Sequence, residues 1–218
     1  MNPMPLSELL GPMTTLAALT GLALLAQSRM SAAVRTAALQ GAAVSLMPLV
    51  LAKAVAPHVL VVSLLSLTVK AVIFPVLIGR TLGKVKGRLE IEPYLGYPAS
   101  VLLGIVGLIA AFWLSGGLES RVGPVLRYPL GTGFFMLWSG LLLIITRKKA
   151  ITQVIGYLAA ENGIFVLGSV LGQADQMVIE LCILLDVLVA IFVMGIAIHH
   201  INRQFDSIDT DRFCSIRD

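Results

Sequence analysis

The apolar residues of this chain come in blocks of about twenty, separated by short polar connections. Roughly twenty consecutive apolar residues is the length a helix needs to cross the hydrocarbon core of a bilayer. A helix in a soluble core is usually shorter and keeps a polar face. The chain has 218 residues, of which 57% are hydrophobic and only 13% charged. Soluble domains of this size carry roughly 25% charge. The blocks therefore imply an all-α, polytopic membrane protein.

Seven spans are expected, at 8–26, 36–54, 57–79, 96–115, 127–146, 150–172 and 177–199. Pro57 and Pro98 fit helix starts, where a missing backbone donor costs nothing. Pro48 and Pro75 fall inside spans and are expected to kink them. Pro75 cannot bond the Ala71 carbonyl, one residue past Lys70. Such irregularity within a membrane is tolerated only where protein or water satisfies the freed group.

The connections set the orientation. Arg29 and Arg35 follow the first span, and Arg80, Lys84, Lys86 and Arg88 the third. Arg147, Lys148 and Lys149 follow the fifth, and Arg203, Arg212 and Arg217 the seventh. The opposite side holds Lys53, Arg121 and Arg127. Basic residues favour the cytoplasmic side, which puts the N-terminus outside and the C-terminus in the cytoplasm. The first run has no basic region before it, unlike a secretory signal, and reads as a retained helix. Residues 80–95 read as a small cytoplasmic surface segment, with Glu90 and Glu92 beside its basic start.

The net charge of +4 is spread over these connections, not over a basic helix face. That excludes a nucleic-acid partner as the reason for it. Cys182 and Cys214 show no metal-ligand or redox spacing. Small residues are dense in the fourth span (Gly104, Gly107, Ala110, Ala111) and the sixth (Gly156, Ala159, Ala160, Gly163). They let helices approach closely, either within the chain or against partner subunits. Trp113, Trp138, Tyr94 and Tyr97 fit interfacial anchors, with Trp138 deep for that role.

Three ionisable residues lie near the centres of apolar runs: Lys70, Glu161 and Asp186. A charge at that depth is costly and faces protein, water or an opposite charge. A carboxylate there has its pKa raised by desolvation or stays ionised beside a lysine. These three are candidates for a proton relay. The competing reading is a static ion pair that holds the bundle together. Asn162 is placed to hydrogen-bond across helices beside Glu161. Glu180, His199, His200, Lys53 and His58 are candidate access or peripheral positions near the span ends, or plain interfacial polar residues. No phosphate loop, dinucleotide fingerprint, nucleophile elbow or iron–sulfur cysteine pattern occurs. The chain carries no redox centre or cofactor site of its own on this reading, so any enzyme activity belongs to an assembly.

The stretch from Arg147 to Asn202 resembles the small three-helix membrane subunit of respiratory complex I, lettered K in bacteria. That subunit carries a mid-helix glutamate in each of its last two helices. Glu161 takes the first position, and Asp186 takes the second with aspartate in place of glutamate. The length, the span number, the segment AAENGIF and the ending FDSIDTDRFCS resemble component E of formate-hydrogenlyase-type, membrane-bound nickel–iron hydrogenases. The resemblance divides the chain into 1–146, a five-helix region; 147–202, a two-helix region that with helix five matches the K-type subunit; and 203–218, a cytoplasmic tail.

It implies a multi-pass subunit in the inner (cytoplasmic) membrane of a prokaryote. The implied partners are large antiporter-like membrane subunits, a membrane anchor subunit and a peripheral hydrogenase arm, within membrane lipid. The nickel–iron centre and iron–sulfur clusters would belong to those partners. The expected function is an accessory role in proton or ion translocation coupled to redox chemistry elsewhere. Two alternatives stand beside it: a structural spacer between antiporter-like subunits, and a subunit of a multisubunit sodium/proton antiporter. An independent secondary transporter fits less well, since the halves show no inverted repeat.

Overall fold

The structure is a computed structural model that describes residues 6–51, 57–84 and 91–171. Those residues are helical apart from short connections, in which Pro93 and Arg147 form an isolated β-bridge. After a 3-10 turn at Leu6–Leu9, the helices are α1 (Leu10–Ala26), α2 (Met30–Ser45), α3 (Met47–Leu51) and α4 (Pro57–Thr68). A π-helical turn at Val69–Ile73 joins α4 to α5 (Phe74–Lys84). Then come α6 (Tyr97–Val122), α7 (Arg127–Thr146) and α8 (Ala150–Leu171).

Among the described residues, five stretches are long and apolar enough to cross a membrane: Met30–Leu51, Val59–Arg80, Tyr97–Ser120, Arg127–Thr146 and Ala150–Leu171. They make this a multi-pass membrane protein. Helix α1 is apolar but shorter, at 17 residues. The seventh expected span, 177–199, lies outside the described residues.

Two boundaries differ from the sequence expectation. The second membrane stretch begins at Met30, not at 36, so Arg35 sits inside α2. The segment MSAAVRTAA is rich in good helix formers. Arg35 is exposed, and its long side chain can reach the interface from within the helix. The fourth stretch does not stop at 115. Helix α6 runs on through Gly116 and Gly117 to Val122 and closes at Gly123, whose φ of +84° suits glycine. Arg127 packs over Gly116 and pairs with Glu119 at 3.0 Å, which supports the extra turns. Trp113 is therefore some two turns short of the helix end, and it is highly exposed.

The prolines act as their chemistry requires. Pro57 opens α4, and Pro98 stands in the first turn of α6. The helix begun at Met30 breaks at Leu46, and Pro48 falls in the first turn of α3. Before Pro75 the backbone widens, and Phe74 N–H donates to Val69 O, five residues back. The π turn is the local answer to the donor that Pro75 lacks.

The core is centred on α7 and α8, which pack along a seam of glycines. A Cβ on Gly140 would overlap the backbone of Ala160, and one on Gly163 would overlap that of Leu137. Gly133 and Gly156 face Gly163 and Gly140 in turn. The small residues of the sixth span are thus used inside the chain. Those of α6 are divided. Gly104 receives Leu25 and Gly107 receives the Trp138 ring. Gly107, Ala110 and Ala111 also line an outward apolar groove of about 310 Å³ beside Phe134, Trp138 and Leu141. Trp138 sits near the middle of α7. Its Nε1 donates to Leu103 O at 3.2 Å, a tie between α7 and α6.

The connections after α1 and α7 meet residues 91–96 at one end of the bundle. Residues 91–96 form a strap across it. Ile91 N donates to Ser28 O at 2.8 Å, Tyr94 N to Thr146 O at 2.8 Å, and Lys148 N to Glu92 O at 3.1 Å. Pro93 and Arg147 form the β-bridge. Ile91 is buried in the same apolar cluster as Leu82, Leu25 and Leu143. Ile91 thus anchors the strap in the core, while Glu92, Tyr94 and Gly96 stay exposed at the surface.

Candidate functional site

The deepest polar cluster of the described residues is built from α2, the π turn and α8. Lys70 has eleven residues of its apolar stretch before it and ten after, and Glu161 has the same placement in α8. Both lie at the middle of their spans. Lys70 Nζ donates to Glu161 Oε1 at 2.7 Å, and each side chain is only 2% exposed. The Phe165 ring, one helical turn beyond Glu161, lies 4.2 Å below the ammonium. Lys70 is therefore held between a carboxylate and an aromatic face of the same helix.

Local sequence explains how a lysine reaches this place. The π turn at Val69–Ile73 carries Lys70 inward as its one buried residue. Gly41 on α2 leaves room for the lysine stem, since a Cβ there would come within 2.8 Å of Lys70 Cβ. In so apolar a setting, unit charges interact far more strongly than in water. Each ion nevertheless pays heavily for losing hydration, and the direct contact is what offsets that loss.

A second polar chain runs beside the pair. Asn162 Nδ2 donates to Gln40 Oε1 at 3.3 Å, and Gln40 Nε2 donates to Ala17 O at 3.3 Å. This links α8, α2 and α1 at mid-depth, with Gln40 and Asn162 both buried. Asn162 Oδ1 has no hydrogen-bond partner among the described residues. A small cavity of about 10 Å³ touches Lys70, Glu161 and Asn162. That is about the space of a single water centre, which is what a buried amide oxygen requires.

Of the residues singled out in the sequence, Lys70 and Glu161 are in contact and Asn162 stands beside them. Asp186, Glu180, His199, His200 and Lys53 lie outside the described residues, as does the side chain of His58 in the first turn of α4. Gln40 and Phe165 join the site without having been anticipated. Phe165 was detectable as the residue four past Glu161, on the same helical face. Gln40 was detectable as a lone amide at the centre of an apolar stretch.

Another buried cation lies at the strap end. Arg147 is fully buried, and its guanidinium donates to Leu25 O at 2.7 Å, Ser100 Oγ at 3.3 Å and Leu95 O at 3.5 Å. Tyr97 stacks near it at 5.4 Å. Burial lowers the Arg147 pKa from its usual value, and Tyr97 opposes that in part. The sequence marks Arg147 only as a topology signal, yet it ties α1, α6 and α7 together.

Among the described residues no group of three or more His, Cys, Asp or Glu side chains is gathered as a metal site would need. The chain is similar to the uncharacterized protein Rv0085 of Mycobacterium tuberculosis (strain ATCC 25618 / H37Rv). The two are 28% identical over 189 residues, which span 86% of each chain. No family model and no solved structure matches the chain.

Proposed function

We propose that the chain is an accessory ion-translocating subunit of a hydrogenase-like or complex-I-like oxidoreductase in a prokaryotic cytoplasmic membrane. The reading includes seven spans, the last at 177–199, with the N-terminus outside and the basic connections in the cytoplasm. The observation that carries the relay is the Lys70–Glu161 contact at 2.7 Å, buried at mid-span beside a water-sized cavity. Placement in a redox complex rests on the resemblance to component E and to the K-type subunit. The nickel–iron centre and iron–sulfur clusters belong to partner chains, as do the antiporter-like subunits, the anchor and the hydrogenase arm.

Glu161 has two states in this scheme. Ionised, it is held by the Lys70 ammonium. Protonated, it releases Lys70, whose charge then rests against the Phe165 ring and local water. The π turn supplies a backbone element able to shift Lys70 towards or away from α8, since such turns are less regular than the α-helix around them. Movement of Lys70 changes the proton affinity of Glu161, and that is how a strain arriving from partners becomes uptake or release. Asp186 is the second carboxylate of the proposed relay.

The test is Glu161→Gln in the intact membrane complex, with assembly and coupled ion transport measured on the same preparation. The expected result is normal assembly with transport abolished. Full transport, or loss of assembly in step with transport, would support the spacer reading instead.

A further inference from the structure

The inward face of the α4–α5 stretch changes character at Lys70. Its buried residues are Ser63, Ser66, Lys70, Phe74, Ile78 and Leu82, spaced three or four apart along one stripe. From Lys70 towards the Pro57 end the stripe is polar, and towards the strap end it is apolar. On α2, Gln40 lies level with the pair and Ser45 beyond it among buried Val44 and Met47, while Val34 and Ala37 lie on the strap side. Ser45 Oγ lies 3.2 Å from Ser66 Oγ, a hydroxyl rung between the two helices. Ser63 Oγ is fully buried and has no hydrogen-bond partner among the described residues. A buried hydroxyl left so is costly, and an internal water is its usual remedy.

The other side of the pair differs. The water-sized cavity of about 10 Å³ at Lys70, Glu161 and Asn162 is closed on its strap side by Ala37, Phe74, Ile78 and Leu158. Beyond it the buried side chains are apolar, and hydrophobic constrictions gate by losing water.

We propose that the ion pair communicates with the Pro57 end through a standing path of water and hydroxyls along Ser66, Ser45 and Ser63. Phe74, Ile78 and Leu158 form a dry gate towards the strap end. The inference deepens the relay reading by giving its site one open side and one gated side.

Silver ion, small enough for a single-file water path, tests this on the full chain in sealed vesicles. The background carries Cys182→Ser and Cys214→Ser, and thiols are introduced one at a time by Ser63→Cys, Ser66→Cys, Ile78→Cys and Leu82→Cys. Cysteine is close to isosteric with serine, so the first two variants keep the packing. Silver is applied to the face nearest Pro57, and the remaining thiol is then counted with a maleimide after denaturation. The thiols at 63 and 66 are expected to lose most of their maleimide signal, and those at 78 and 82 to keep theirs. Protection at 63 and 66 equal to that at 78 would overturn the path, and equal reaction at all four would overturn the gate. Labelling needs no transport, so a hydrated path beside a transport-competent Glu161→Gln chain would retain this inference and remove the relay.

Discussion

Lys70 and Arg147 are both buried cations, and they are satisfied in opposite ways. Arg147 is met by two backbone carbonyls and a serine hydroxyl. Those partners are fixed dipoles and cannot take up a proton. Lys70 is met by a carboxylate, which can. Arg147 stands where three connections close over the bundle, while Lys70 stands on a widened turn beside a water-sized space. The first arrangement is a lock; under the proposed relay the second is a switch. Burial of charge is common to both, and the proposal rests on the chemistry of the partner.

That contrast is sharpened first at Arg147. Arg147→Met is expected to cost about 4 kcal/mol, since it leaves buried carbonyls unpaired. Denaturant unfolding in detergent measures it. Arg147→Lys is expected to recover only part, because one ammonium cannot span the set of acceptors that a planar fork reaches. Next is Gly140→Val, which forces a side chain into the Ala160 backbone and is expected to cost about 3 kcal/mol in the same assay.

Glu161→Gln breaks the comparison or sustains it. Removing one partner of a static buried pair costs roughly 3–5 kcal/mol. A pair built to visit a neutral carboxyl tolerates glutamine, so the expected cost is below about 2 kcal/mol. A loss as large as that of Arg147→Met would make Lys70–Glu161 a second lock. The smallest effect is expected at the partly exposed Lys149–Glu92 pair, 3.0 Å apart at the strap end. Lys149→Ala should cost less than about 1 kcal/mol and be insensitive to the variant at 161.

The helices were legible because lipid demands long apolar runs, and their breaks were legible because proline lacks a donor. Boundaries were less so. Arg35, expected in the connection before the second span, lies inside α2, because an arginine can reach the interface from within a helix. The span expected to end at 115 runs on through Gly116 and Gly117, where Arg127 from the next helix packs and pairs with Glu119. Depth could be counted along the chain, which placed Lys70 and Glu161 at one level. Their contact could not be read, because the sequence gives height but not the rotation of one helix against another. Arg147 was hidden for the same reason: its acceptors come from Leu25, Leu95 and Ser100, far away in sequence.

Whether Glu161 changes its protonation state inside the bundle can be observed by infrared difference spectroscopy of the purified complex between alkaline and acid conditions. The expected result is a band from a protonated, buried carboxyl that appears on acidification and is absent in the Glu161→Gln chain. A spectrum with no such band over the whole range in which the complex stays assembled would contradict the switch and leave Lys70–Glu161 as a fixed pair.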